Sequence, residues 1–248
     1  MYYKKIAVIN DNPIILQRFI KVIRELNINE SIFHFFCSPE TDVSQYPYLK
    51  IRKIKLKTDF KYLIDKNFDL VFSLHCKQIF PKKLISQIKS INFHPGYNPI
   101  NRGWYPHIFA IINGLEVGAT IHEIDEFVDH GAIIDRIKID YFSWDTSDTV
   151  YDRILDAEIS LIKKNIINIL NNNYKLIIPE NDGNYFSKKD FDALCEINLD
   201  ESATYEIVFN RLRALTHNNH KNAWYIDKNT GKKVFVSINF NVDAEKST

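Results

Sequence analysis

Cysteine is scarce in this sequence, and so is net charge. Three cysteines, Cys37, Cys76 and Cys195, occur among 248 residues without any CxxC pair. This argues against a disulfide framework and against a zinc site, so we expect a reducing, cytoplasmic setting and no metal. Lys and Arg number 32 against 31 for Asp and Glu, which leaves a net charge of +1. No overall field would gather nucleic acid or an anionic membrane, so an anionic substrate must be held locally.

Long apolar runs are missing as well. No stretch of about 18 apolar residues occurs anywhere, which is the length that a membrane-spanning helix needs. The N-terminal segment enters a strand-like run at once, without the apolar region and small-residue cleavage site of a signal peptide. We therefore expect neither export nor membrane insertion.

Short apolar runs alternate with amphipathic segments over the first 175 residues. Strands are predicted at residues 6–9, 31–37, 51–56, 68–74, 90–93, 118–124 and 132–142. Helices are predicted at residues 14–26, from about 81, at 105–113, and from the N-cap candidates Thr146, Ser147 and Asp148 to about 170. This alternation is typical of an α/β protein with a Rossmann-like, mostly parallel sheet.

The character of the chain changes near residue 176. Residues 181–189 are rich in turn formers, residues 202–215 have helical spacing, and residues 223–241 predict a hairpin around Asn229-Thr230-Gly231. We therefore expect a first domain at 1–175 and a small α+β or β-hairpin segment at 176–248.

Residues 92–131 contain the chemistry-bearing side chains. Asn92 and His94 lie two positions apart at the end of a predicted strand, so their side chains point to the same face. A neutral imidazole can take a proton from an attacking nucleophile, and a carboxamide can donate to a developing oxyanion. Asp129, in a later loop, could orient His94 and stabilise its cationic form. No Ser or Cys sits beside His94, so the attacking group would be the substrate itself.

The same stretch resembles the folate-dependent formyltransferase family. The resemblance rests on Asn92-x-His94, Arg102-Gly103, the helix before Gly114, and Asp129-x-Gly131. It implies a formyltransferase fold, 10-formyltetrahydrofolate as formyl donor, and Asn92, His94 and Asp129 as catalytic residues. It further implies a pterin slot, which we assign to Ser73, Leu74, Phe80, Ile124, Asp125, Glu126 and Val128. One departure is Pro95-Gly96-Tyr97, where many relatives carry Ser-Leu-Leu, and it bears on how the acceptor approaches.

The C-terminal segment resembles that of nucleotide-sugar formyltransferases. The run from Arg211 to Thr216 with Asn218, Asn219 and Trp224 carries this weaker resemblance, together with Tyr185. It implies a homodimer and a role of the segment in nucleotide-sugar binding or dimerisation. The implied acceptor is a dTDP-linked amino-dideoxy sugar of surface polysaccharide (O-antigen) synthesis, either 4-amino-4,6-dideoxyglucose or the 3-amino isomer. The residues assigned to its binding are Lys77, Arg102, Tyr185, Asn219 and Trp224.

Plainer interpretations stand beside these. Arg102 could pin its loop to backbone carbonyls, Lys77 could be an ordinary exposed lysine, and the C-terminal aromatic residues could form a small core. The other histidines, His107, His122, His130, His217 and His220, receive no catalytic role. Rival functions are methionyl-tRNA or glycinamide ribonucleotide formyltransferase, hydrolysis of formyltetrahydrofolate, and a folate- or nucleotide-binding module without catalysis.

Overall fold

The computed structural model describes residues 1–243 of the chain. This part contains eleven strands, seven α-helices and two short 3-10 helices. The strands are β1 (Ile6–Asn10), β2 (Phe33–Cys37), β3 (Ile51–Lys53), β4 (Leu70–Leu74), β5 (Lys89–His94), β6 (Arg102–Gly103), β7 (Val117–Glu123), β8 (Ile133–Ile139), β9 (Tyr185–Phe186), β10 (Trp224–Ile226) and β11 (Lys233–Phe235). The helices are α1 (Pro13–Glu25), α2 (Leu56–Asp65), α3 (Lys82–Ile85), α4 (Pro106–Asn113), α5 (Ser147–Leu170), α6 (Lys188–Cys195) and α7 (Tyr205–Leu215).

A seven-stranded sheet forms the centre, in the order β3-β2-β1-β4-β5-β7-β8. The first five strands in that order run parallel, and β7 is antiparallel to both β5 and β8. The predicted α/β class with a mostly parallel sheet is confirmed. In such sheets ligands bind at the carboxyl ends of the strands, which is where β5 ends at His94.

Both faces of the sheet are covered, which explains why its central strands are continuously apolar. All five residues of β4 are buried. Phe72 and Phe93, on neighbouring strands, pack edge to face with ring centroids 5.1 Å apart in the larger core cluster. On the opposite face, Val71 lies in a second cluster with Leu63 of α2 and Leu84 of α3. Truncating Phe72 to Ala would cost about 3–5 kcal/mol because the surrounding core could not close the cavity.

The C-terminal segment packs onto the first domain and shares its core. Phe191, Ala214 and Ala223 belong to the same buried cluster as the central strands. Arg213 is buried, and its guanidinium donates to the carbonyls of Phe142 and Asp145, both at 3.0 Å. These contacts attach α7 firmly beside α4 and α5. The boundary at 175/176 stays a prediction.

Besides the short strands β6 and β9 and the two 3-10 helices, the structure contains two helices that the sequence analysis did not predict. Leu56 was placed in a strand, but it begins α2, a helix that the sequence pattern missed; the backbone N–H of Lys55 donates to the side chain of Asp59 at this helix start. The turn-rich segment 181–189 leads into the unpredicted α6, which begins with a capping box between Ser187 and Asp190. The hairpin is confirmed, although its strands are short, at β10 and β11.

Candidate active site

The end of β5 brings Asn92 and His94 to one face. Asn92 lies between Ser73 of β4 and His122 of β7 in the sheet register, and His94 lies opposite Thr120 of β7. Alternation along the strand gives both side chains the same direction. His94 is only 5% exposed, so its surroundings rather than solvent determine its chemistry.

Asp129 joins them from the loop after β7. Its carboxylate accepts hydrogen bonds from the Asn92 amide at 2.9 Å and the Gly103 N–H at 3.1 Å, and it lies 3.6 Å from His94 Nδ1. Its own carbonyl accepts from the Asn98 side chain at 2.8 Å. Asp129 has a left-handed backbone conformation, with φ at 48°. The predicted trio therefore lies together, in a loop held from several sides.

In this trio a neutral imidazole lies beside an ionised carboxylate. Burial lowers the pKa of His94, which the charge of Asp129 only partly offsets, so the imidazole is neutral at pH 7. Burial alone would raise the pKa of Asp129, but His94, His122 and the Gly103 N–H together hold that pKa far below its usual value. Asp129 is therefore ionised and can orient His94.

His94 Nε2 is the unpartnered nitrogen of the site. This buried atom has no hydrogen-bond partner among residues 1–243. Gly96 packs closely against it, since a Cβ added there would lie 2.4 Å from the nitrogen. The nearby Cys76 is no candidate nucleophile, because burial raises the pKa of its thiol and keeps it protonated. The site therefore offers a base and leaves the attacking group to an external molecule.

A cleft of about 510 Å³ opens beside the trio. Most of the predicted folate residues line it: Ser73, Phe80, Ile124, Asp125, Glu126 and Val128. Leu74 instead packs fully buried in the core. The exposed ring of Phe127, which the sequence pattern did not single out, also lines the cleft.

The residues predicted to bind the acceptor are scattered. Lys77 lines the cleft with an exposed side chain. The guanidinium of Arg102 donates to the Val128 carbonyl at 3.1 Å, as the plainer interpretation expected. The Tyr185 ring lies against Gly103, Asn219 is exposed, and Trp224 packs under the ammonium of Lys233, so these three residues lie outside the cleft lining.

A polar wall that sequence reasoning missed lines another part of the cleft. His75 contacts the buried carboxylate of Glu158 at 2.8 Å through Nε2, and the Tyr151 hydroxyl at 3.3 Å through Nδ1. His107 and His217 both hydrogen bond to the Ser147 hydroxyl, at 3.0 and 3.1 Å. Burial lowers the pKa of His107 to about 3, so this ring is neutral. These residues come from four parts of the chain that lie far apart in the sequence, and only the fold brings them together.

Within residues 1–243, no group of three or more His, Cys, Asp or Glu side chains is placed to hold a metal ion. Over the same range, every helix is too short or too polar to span a bilayer.

A neutral imidazole beside an ionised carboxylate is an arrangement that can take a proton from an external nucleophile. Two family models match the chain: "Formyl transferase" over residues 38–166 and "N-formyltransferase dimerization C-terminal domain" over residues 190–242. The chain is 46% identical over 175 residues to the dTDP-4-amino-4,6-dideoxyglucose formyltransferase of Mycobacterium tuberculosis H37Rv, which covers 71% of this chain and 74% of the relative.

Solved structures agree with these matches. A 4-N formyltransferase from Francisella tularensis has a TM-score of 0.90 and 40% identity, over 98% of this chain and all of its own. WlaRD, a sugar 3N-formyl transferase crystallised in the presence of dTDP and 5-N-formyl-THF, has a TM-score of 0.68 and 25% identity, over 86% of this chain and 80% of its own. The chain belongs to the formyl transferase family, which confirms both the resemblance and the prediction of an enzyme.

Proposed function

We propose that this protein transfers the formyl group of 10-formyltetrahydrofolate to the 4-amine of dTDP-4-amino-4,6-dideoxyglucose. The observation that carries the proposal is the difference in surroundings between the two ring nitrogens of His94. Nδ1 faces the ionised Asp129, whereas Nε2 is buried and unpartnered within residues 1–243, on a ring that lines the cleft. An amine that enters this cleft meets a neutral base.

The folate donor supplies a formyl group on a nitrogen leaving group. The residues of this chain supply the proton transfers. His94 Nε2 takes the proton that the amine loses, and Asp129 stabilises the resulting imidazolium at Nδ1. This imidazolium can donate a hydrogen bond to negative charge that develops next to it, in a site sheltered from water.

The cleft fits a folate on two counts. Its loop from Ile124 to Asp129 combines apolar side chains with backbone polar groups, which suits a flat heterocycle. Asn92 and His94 line the same cleft, where a formyl group and an amine would have to meet. We assign Phe80, Ile124 and Val128 to the donor side of the cleft.

The choice of acceptor rests on relatives and on charge. The Mycobacterium tuberculosis relative is named for the 4-amino sugar, and the Francisella tularensis structure is titled a 4-N formyltransferase. WlaRD is titled a 3N-formyl transferase at lower identity, so the 3-amino isomer is the second candidate. We assign Lys77 to the pyrophosphate, since its ammonium is exposed at the cleft.

The assembly and setting follow the same reasoning. The C-terminal model that matches residues 190–242 is described as a dimerisation domain. Exposed apolar side chains on this segment support self-association: Tyr205, Ile207, Val208, Phe209, Ile226 and Phe235. We propose a cytoplasmic homodimer that serves surface polysaccharide synthesis.

A matched pair of histidine variants tests the proposal. His94→Asn should abolish most formyl transfer while leaving dTDP binding intact, because the change removes the base and not the cleft. His34→Asn, on an exposed position of β2, should keep wild-type turnover. Near-normal turnover of His94→Asn would contradict the assigned role. Salt-sensitive binding of tRNA by the wild-type protein would favour the methionyl-tRNA alternative instead.

A further inference from the structure

The amide of Asn92 is held in one orientation by two neighbours. We propose that His122 is a positioning residue that turns the Asn92 side-chain oxygen toward the cleft, where it accepts a hydrogen bond from the attacking amine. The part about the amine rests on the proposed function. The orientation itself rests on hydrogen-bond geometry alone.

The tautomer of His122 follows from its contact with the backbone. His122 is 1% exposed, and its Nδ1 lies 2.7 Å from the Glu123 carbonyl oxygen. A carbonyl can only accept, so Nδ1 must carry the hydrogen. In this tautomer Nε2 is an acceptor; it lies 3.2 Å from Asn92 Nδ2 and 3.6 Å from Asp129 Oδ1, which is too far for a hydrogen bond to the carboxylate.

The Asn92 amide is consequently saturated on its nitrogen side. One N–H donates to His122 Nε2, and the other donates to Asp129 Oδ1 at 2.9 Å. A reversed amide would place its oxygen against a carboxylate and against an imidazole lone pair, which loses both hydrogen bonds and adds repulsion. Asn92 lines the cleft, and Oδ1 is the polar atom that this arrangement leaves for a ligand.

This orientation reverses the role expected for Asn92 from the sequence. The sequence predicted an amide that donates to an oxyanion, whereas the structure presents an acceptor. A neutral primary amine brings two hydrogens, of which the formamide product keeps one. Asn92 Oδ1 would hold the retained hydrogen and so aim the lone pair, while the other proton leaves through His94 and ends on the departing tetrahydrofolate nitrogen.

Two amide substitutions at His122 separate positioning from packing. An asparagine side chain reaches the place of Nδ1 and can still donate to the Glu123 carbonyl, but it loses the acceptor at the place of Nε2. A glutamine reaches the place of Nε2 and can still accept from Asn92. We expect His122→Asn to lower kcat by about 10- to 100-fold relative to the wild type. The kcat of His122→Gln should be about tenfold higher than that of His122→Asn. Donor and dTDP affinities should change by less than about twofold in both.

Measurements of stability and of the His122 tautomer distinguish a positioning role from a structural role. The melting temperatures of the two variants should agree within a few degrees, because each buries one amide at the same position. An equal loss of kcat in both variants, or no loss in His122→Asn, would overturn the positioning role. Nitrogen-15 NMR of the histidine side chains in the wild-type protein should find hydrogen on Nδ1 of His122; hydrogen on Nε2 would overturn the proposal. The NMR result does not depend on turnover, so a wrong acceptor assignment would leave it standing.

Discussion

A methyl group added at Gly96 would press directly on the imidazole of His94. The Cβ of an alanine there would lie 2.4 Å from His94 Nε2 and 3.1 Å from the Cβ of Pro106. The backbone of Gly96 lies outside the left-handed region, so alanine costs no backbone strain. The effect of Gly96→Ala therefore comes from the added carbon alone.

The expected loss follows from this distance. Non-bonded carbon and nitrogen atoms in contact lie about 3.5 Å apart, so the imidazole must move by about 1 Å. A misplacement of about 1 Å at a reacting group can cost about 100-fold in rate. That loss corresponds to about 2.7 kcal/mol in the activation barrier.

The assay is single-turnover formyl transfer, with donor affinity and melting temperature measured alongside. We expect kcat of Gly96→Ala to fall about 100-fold, while the affinity for the folate donor changes little. Gly231→Ala is the control, since its Cβ would meet nothing within 4 Å, although its φ of 68° makes alanine cost about 1 kcal/mol of stability. A Gly96→Ala enzyme with wild-type kcat would refute the placement of the amine at His94 Nε2.

Three further predictions concern the titratable side chains of Lys77, His94 and His130. Lys77→Ala should raise the KM for the nucleotide sugar about tenfold with little change in kcat, and Lys77→Arg should restore most of the affinity; unchanged steady-state constants would remove Lys77 from the pyrophosphate site. Because burial lowers the pKa of His94 below its ordinary 6.5, NMR of its imidazole should find the ring neutral at pH 7 and protonated only below about 6.5, and a protonated ring at pH 7 would contradict a neutral buried base. Hydrogen bonds to Asp125 and Asp182 raise the pKa of His130 above 6.5, so its stabilisation is complete below that pH and is lost as pH rises through the raised value. His130→Ala should accordingly lower the melting temperature more at pH 5.5 than at pH 8.5, and an equal loss at both would refute the ion-pair account.

The sequence allowed the trio to be predicted because two simple rules apply. Alternation along a strand places Asn92 and His94 on one face, and loops at one sheet edge converge, which brings in Asp129. The short apolar run at residues 68–74 likewise predicted the strand β4. These features depend on local pattern and spacing.

Other parts of the site depend on long-range register. His122 faces Asn92 only because β7 runs antiparallel to β5 in one register. His75, His107 and His217 come together because α4, α5 and the C-terminal segment pack side by side. Spacing along the chain carries no signal for such contacts. The same limit applied to Trp224, which was assigned to acceptor binding but lies outside the cleft lining and packs against Lys233.

The central claim is formyl transfer to a 4-amino sugar, and a mass measurement tests it. The purified protein is incubated with 10-formyltetrahydrofolate and, separately, with dTDP-4-amino-4,6-dideoxyglucose and its 3-amino isomer. We expect the mass of the 4-amino sugar to increase by one formyl group, with slower reaction of the 3-amino isomer. Preferred turnover of the 3-amino isomer, or no formylated product from either sugar, would contradict the account.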